Sequence, residues 1–145
     1  MVAALTCACG TTSAPRSGGL TDQALVGSAL GHYSEIVLAM NHAGIAALFE
    51  PDGEIVREGQ AAVHGRAAID SFLSGFASYQ VLANNLQPAS TVVNGDTAEQ
   101  VGSYQQRVRT PEGKVLEVSG RFKVVWGRAP SGEWLIRRMG TSPMD

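Results

Sequence analysis

From Thr21 onward, apolar positions recur every three or four residues. Val26, Leu30, Tyr33, Val37, Met40, Gly44 and Leu48 fall on one stripe, the spacing of an amphipathic helix. Thr21 or Asp22 offers a side-chain oxygen to cap its start, and the turn chemistry of Pro51-Asp52-Gly53 ends it near Phe49. Glu54 to Gln60 reads as a short strand. Arg66 to Tyr79 reads as a second helix, with Ile69, Phe72, Leu73 and Phe76 on its buried face. Beyond it the apolar period drops to two, the period of strands.

Three turn signals follow: Asn94-Gly95-Asp96, Pro111-Glu112-Gly113 and Pro130-Ser131-Gly132. Their spacing of about 18 residues fits long antiparallel strands joined as a meander. Pro-Glu-Gly suits a three-residue loop that pairs Thr110 with Lys114, Arg107 with Glu117 and Ser103 with Arg121. One hairpin face then carries Ala98, Gln100, Gly102, Tyr104, Gln106 and Val108 with Leu116, Val118, Gly120, Phe122, Val124 and Trp126. That apolar face is the inner one. The other face carries Glu99, Arg107, Glu117, Arg121 and Lys123, a ladder of mixed charge. The last loop pairs Arg128 with Trp134, placing Trp134, Ile136 and Arg138 inside and Leu135 and Met139 outside. Register at Asn94-Gly95-Asp96 stays open between a two-residue and a three-residue loop. The expected class is α+β: a cone-shaped, curved antiparallel sheet, made of a four-strand meander plus a short first strand, with helices on its concave face. Gly102 and Gly120, nearly opposite each other, ease the bend.

Composition narrows the chemistry. The chain has 145 residues, 44% of them hydrophobic and 17% charged, with a formal net charge of -2. That is one ordinary globular domain, and its charge is a poor footprint for nucleic acid or an anionic membrane. The only cysteines, Cys7 and Cys9, precede the domain, which therefore has no thiol nucleophile and no disulfide. His32, His42 and His64 form no metal-ligand spacing, and no glycine loop cradles a phosphate, so neither metal nor cofactor is expected. Nothing is apolar for long enough to span a membrane. Residues 1–20 read as a separate signal-like segment and flexible tether, ahead of a domain over 21–145. A short apolar run, a cysteine after a small residue, then Gly/Thr/Ser/Pro resembles the end of a bacterial lipoprotein signal, which implies lipidation of Cys9 and an envelope location if the true start lies upstream. The other reading is a cytoplasmic tail.

Two segments carry a family resemblance. Residues 41–53, Asn-His-Ala-Gly-Ile-Ala-Ala-Leu-Phe-Glu-Pro-Asp-Gly, and residues 64–69, His-Gly-Arg-Ala-Ala-Ile, stand in the order seen in the nuclear transport factor 2-like superfamily. The closing Gly132-Glu133-Trp134-Leu135-Ile136 resembles its last hairpin. The chain is similar to the SnoaL-like and ketosteroid-isomerase-like branch over about residues 21–142. The resemblance implies a deep cone pocket and a homodimer through the outer sheet face. It implies no particular reaction. Ketosteroid isomerases hold the enolate oxygen with a tyrosine and a protonated aspartic acid, while a second aspartate moves the proton. Alignment on Gly44-Ile45 puts Tyr33 at the tyrosine and Arg57 at the base; anchoring on Gly132 puts Val124 at the acid. Arginine is no base near neutrality, so the chain does not read as a ketosteroid isomerase. Glu58 adjoins Arg57 but faces the other way unless a bulge intervenes.

The pocket candidates are Tyr33, Val37, Met40, Phe72, Phe76, Gln100, Tyr104, Phe122, Trp126 and Arg138. Amides and phenols there orient a ligand by hydrogen bonds, and Arg138 suits a carboxylate or phosphate. The competing reading makes Tyr33 and Tyr104 core residues and leaves Arg138 at the rim. Candidate bases are His32, which borders the stripe within reach of Asp70 or Glu58, and His64, at the loop before the second helix. Both also suit surface or capping roles. His42, opposite the stripe, reads as solvated. The leading expectation is a domain that binds a small apolar or amphipathic organic molecule without evident catalysis. The alternatives are a cofactor-free isomerase, lyase or hydrolase using Tyr33 with His32, His64 or Glu58, and a dimeric association module with a vestigial pocket.

Overall fold

The computed structural model describes residues 18–144; Cys9 lies outside them. The first helix, α1 (Gly18–Leu38), begins ahead of the expected start. Asp22 sits inside it and caps nothing. Its carboxylate accepts from Arg128 Nη2 at 2.7 Å, while Arg128 Nε donates to Asp96 at 3.0 Å and the guanidinium lies 4.6 Å above the Trp134 ring. One arginine thus ties α1 to two turns of the sheet.

The single helix expected up to Phe49 is two helices. The chain turns at Met40, which adopts a left-handed φ of 57°. Asn41 then caps α2 (His42–Ala47), its side chain accepting from the Gly44 N–H at 3.0 Å. A new cap restarts the helical phase, so positions after Met40 no longer follow the α1 stripe. Strand β1 (Phe49–Arg57) takes in the expected turn, with a register shift between Phe49 and Glu54. β2 (Val63–His64) is short, and α3 (Arg66–Ser74) ends before Tyr79 in successive tight turns. The long strands are β3 (Gln80–Asn94), β4 (Thr97–Arg109), β5 (Val115–Arg128) and β6 (Trp134–Pro143).

They form one six-stranded sheet in the order β2-β1-β6-β5-β4-β3. β1 and β6 run parallel, and every other pair is antiparallel. The class is α+β, as the sequence pattern implies. Arg107 faces Glu117, Ser103 faces Arg121, and Thr110 N–H bonds Lys114 O at 2.8 Å. Asn94 pairs with Thr97, so the first loop is the two-residue kind. Gly113 and Gly132 hold φ of 90° and 92°, left-handed positions that favour glycine.

Register slips in β3, between Val81 and Ala83 and between Pro88 and Ser90, bend the sheet. The second slip presses the Gln87 carbonyl onto Gly102, where a Cβ would collide with backbone. Gly102→Ala is expected to cost about 1–3 kcal/mol through forced backbone movement. A thermal melt within a degree of the parent would show that β3 yields freely.

The inner face buries Val26, Leu30, Phe49, Ile69, Val124, Trp126 and Ile136, each contributing roughly 1.5–3 kcal/mol of burial. Gln100 belongs to this core. It is 1% exposed, accepts from the Trp126 indole N–H at 2.8 Å and donates to Thr91 Oγ1 at 3.2 Å.

The end of β6 departs from the expected parity. Trp126 pairs with Ile136, but Val125 pairs with Arg138, so Arg137 is an extra residue. The slip turns Arg138 outward, where its Nε donates to Glu54 at 2.7 Å. It turns Met139 inward, to 5% exposure. The inner assignment of Arg138 and the outer assignment of Met139 are therefore both reversed.

Candidate functional site

A cavity of about 560 Å³ opens between the C-terminal half of α1, α2, the end of α3 and the β4–β5 hairpin. The size is that of a small-ligand site. Its walls are mostly apolar: Val37 and Met40 from the first helix and its turn, Ile45, Leu73 and Phe76 from the helical layer, and Val108, Leu116 and Val118 from the sheet. Phe76, Leu116 and Val118 are 41%, 38% and 39% exposed and form the mouth. Four polar side chains reach the wall: Tyr33, His42, Tyr79 and Gln106.

Gln106 is held from behind. Its Nε2 donates to Asn84 Oδ1 at 3.2 Å, and Asn84 Nδ2 donates to Ser34 Oγ at 3.2 Å. Tyr33 has no hydrogen-bond partner among the described residues. Desolvation pushes its pKa up to about 12, so the phenol is a donor throughout the neutral range. Between pH 10 and 12 an unfolded tyrosine gives up a proton that the folded Tyr33 keeps. Stability therefore falls as pH rises through that window, by on the order of 2 kcal/mol. Tyr33→Phe is expected to remove that part of the alkaline slope, read from denaturant unfolding at pH 9 and pH 11.5.

His42 is the residue that sequence reasoning missed. Its Nδ1 lies 2.6 Å from Asp70 Oδ1 and 3.3 Å from Ser74 Oγ, and Ser74 Oγ donates to the Asp70 carbonyl at 2.8 Å. A carboxylate only accepts, so Nδ1 carries the proton and the lone pair of the neutral ring sits on Nε2. Nε2 has no partner among the described residues. The restart of helical phase after Met40 brought the ring to the cavity. The available signal was Asn41, a capping residue in the middle of the apparent helix, which marks a new N-terminus.

The sequence candidates scatter. Tyr33, Val37, Met40 and Phe76 line the cavity. Gln100, Phe122 and Trp126 are buried in the core and do not line it. Tyr104 packs on that core across Gly120, where a Cβ would meet its hydroxyl at 2.9 Å. Phe72 lies behind Phe76, with ring centroids 5.3 Å apart. His32 is on the exposed side of α1, 3.8 Å from Glu35. His64 is exposed on β2, and Glu58 is exposed beside an open groove on the outer sheet face. Arg57 turns to the inner face, its guanidinium 4.5 Å above Phe72. Among the described residues no group of His, Cys, Asp and Glu is arranged to hold a metal, and no helix is long and apolar enough to cross a membrane.

The sequence model of the SnoaL-like domain matches residues 19–140. No curated protein matches the chain. Among solved structures it is similar to an NTF2-like protein with a cystatin-like fold from Novosphingobium aromaticivorans, at 25% identity and TM-score 0.73, over 87% of this chain and 84% of that one. It is also similar to ActVI-ORFA from Streptomyces coelicolor, at 23% identity and TM-score 0.71, over 83% and 96% of the two chains. A ketosteroid isomerase-like protein from Erwinia carotovora atroseptica aligns at 16% identity and TM-score 0.75, over 84% and 95%.

Proposed function

From the premise that the chain belongs to the SnoaL-like domain family, we propose that it is a cofactor-independent acid–base enzyme acting on a small, largely apolar organic molecule. The observation that carries this reading is His42, on the wall of a mostly apolar cavity with its Nδ1 2.6 Å from Asp70 behind it. Asp70 fixes the tautomer, and Nε2 takes a proton from carbon or oxygen of the bound molecule. The Tyr33 hydroxyl donates to an oxygen on which charge gathers, and Gln106 orients the ring system. The chemistry is that of an isomerisation, cyclisation or elimination.

The test uses 5-nitrobenzisoxazole, a ring-sized probe for a positioned base. Removal of its C3 proton breaks the N–O bond and releases a coloured cyanophenolate, with no other reactant. The protein is expected to saturate with the probe and to exceed free imidazole at equal concentration. A rate equal to imidazole would overturn the reading.

Binding without turnover is the second reading. It is favoured by solvent access to the dyad, whose side chains are 42% and 44% exposed. It predicts saturable binding of 2-naphthol with no proton-transfer rate. The outer sheet face is proposed as the homodimer surface, supported by the groove of about 780 Å³ that Val56, Val101 and Met144 line there.

A further inference from the structure

Arg57 stands two residues beyond the buried Ile55 on β1, and so on the inner face. Its cross-strand neighbour is Thr141, and its guanidinium covers the Phe72 ring at 4.5 Å. Its Nε is buried and makes no hydrogen bond. No ion pair or hydrogen bond to its side chain exists among the described residues, whereas Arg66, Arg107, Arg109, Arg128, Arg137 and Arg138 each have an oxygen partner. Its Nη atoms are not among the buried, unpartnered ones, so solvent reaches that edge of the fork. Nearby carboxylates are committed or turned away. Glu58 follows it in the chain but lies by the outer groove, and Glu54 holds Arg138.

An orphaned N–H inside a protein costs about 1–3 kcal/mol, and an uncompensated cation costs more. The aromatic face below offsets part of that cost and leaves the donor edge unused. A planar fork with free parallel N–H groups matches a carboxylate bidentately.

We infer that Arg57 and Phe72 form a second binding site, apart from the cavity, that takes a small carboxylate. The carboxylate bridges the guanidinium, and an attached ring or alkyl group lies along Phe72. The carboxylate is that of a free acid or of one arm of a larger molecule.

The test is a titration of the full chain with benzoate and, separately, with benzyl alcohol, its uncharged counterpart, followed by amide and arginine Nε–H NMR shifts. Benzoate is expected to shift the Arg57 Nε–H and the Phe72 and Thr141 amides saturably, at least tenfold more tightly than benzyl alcohol. Arg57→Gln removes the preference. Arg57→Lys, which keeps the charge without the fork, weakens benzoate severalfold and stands in if the glutamine variant does not fold. Equal affinity for the two probes, an unaltered preference in both variants, or shifts confined to the cavity would overturn the assignment. The proton-transfer reading is scored by a different probe at different residues, so either one fails without the other.

Discussion

His42→Gln lowers the turnover of 5-nitrobenzisoxazole by roughly 10²–10⁴-fold, the usual contribution of a positioned general base. The glutamine keeps the volume and polarity of the side chain but has no basic nitrogen. Saturation with the probe is expected to persist, because the apolar walls from Val37, Ile45 and Leu73 are untouched. Asp70→Asn tests the partner. An amide N–H turned toward Nδ1 favours the wrong tautomer and places the proton on Nε2, so a loss of at least tenfold is expected. Rate constants and probe affinity for both variants, measured together, separate loss of the base from loss of the cavity. An unchanged rate in His42→Gln would move the base elsewhere.

The largest stability effect is expected at Gln100. Gln100→Ala opens a void at a position that is 1% exposed and strands the Trp126 indole N–H, which has Gln100 as its acceptor at 2.8 Å. Void and orphaned donor together cost about 3–5 kcal/mol, which lowers Tm by roughly 10 °C in a domain of this size. Gln100→Met fills the space and leaves only the orphan, costing about 1–3 kcal/mol. The gap between the two variants in calorimetry separates packing from hydrogen bonding. Because Gln100 lies outside the cavity wall, neither variant alters the proton-transfer rate of folded protein. A drop in that rate would return Gln100 to the site.

That contrast shows what the sequence made legible. Strand parity and loop length placed Gln100, Tyr104 and Trp126 on the inner face, because a three-residue Pro-Glu-Gly loop sets the register of the whole hairpin. Parity says which face a residue occupies. It does not say which height of the cone is filled and which is hollow. Trp126 and Phe122 are large enough to fill their level, whereas Gln106, Val108, Leu116 and Val118 near the hairpin tip leave space. The histidine base was hidden for another reason. Periodicity assumes one helical phase, and Met40 breaks it with a backbone conformation that L-residues with side chains seldom adopt. Asp70 is visible in the sequence as a carboxylate, but there it stands beside Glu58 as one of two possible partners of His32, and its contact is with His42. The parallel pairing of β1 with β6 was not legible either, since no turn or loop length links two strands so far apart in the chain.

The extra residue at Arg137 makes β6 two half-strands spliced out of step. β5 pairs with both halves, through Trp126–Ile136 before the splice and Val125–Arg138 after it, and β1 follows on the other edge through Phe49–Ile136 and Ile55–Met139. Deleting Arg137 would restore plain alternation, leaving Arg138 outward opposite Val125 and Met139 inward opposite Val124, and would remove the Arg137–Glu50 ion pair.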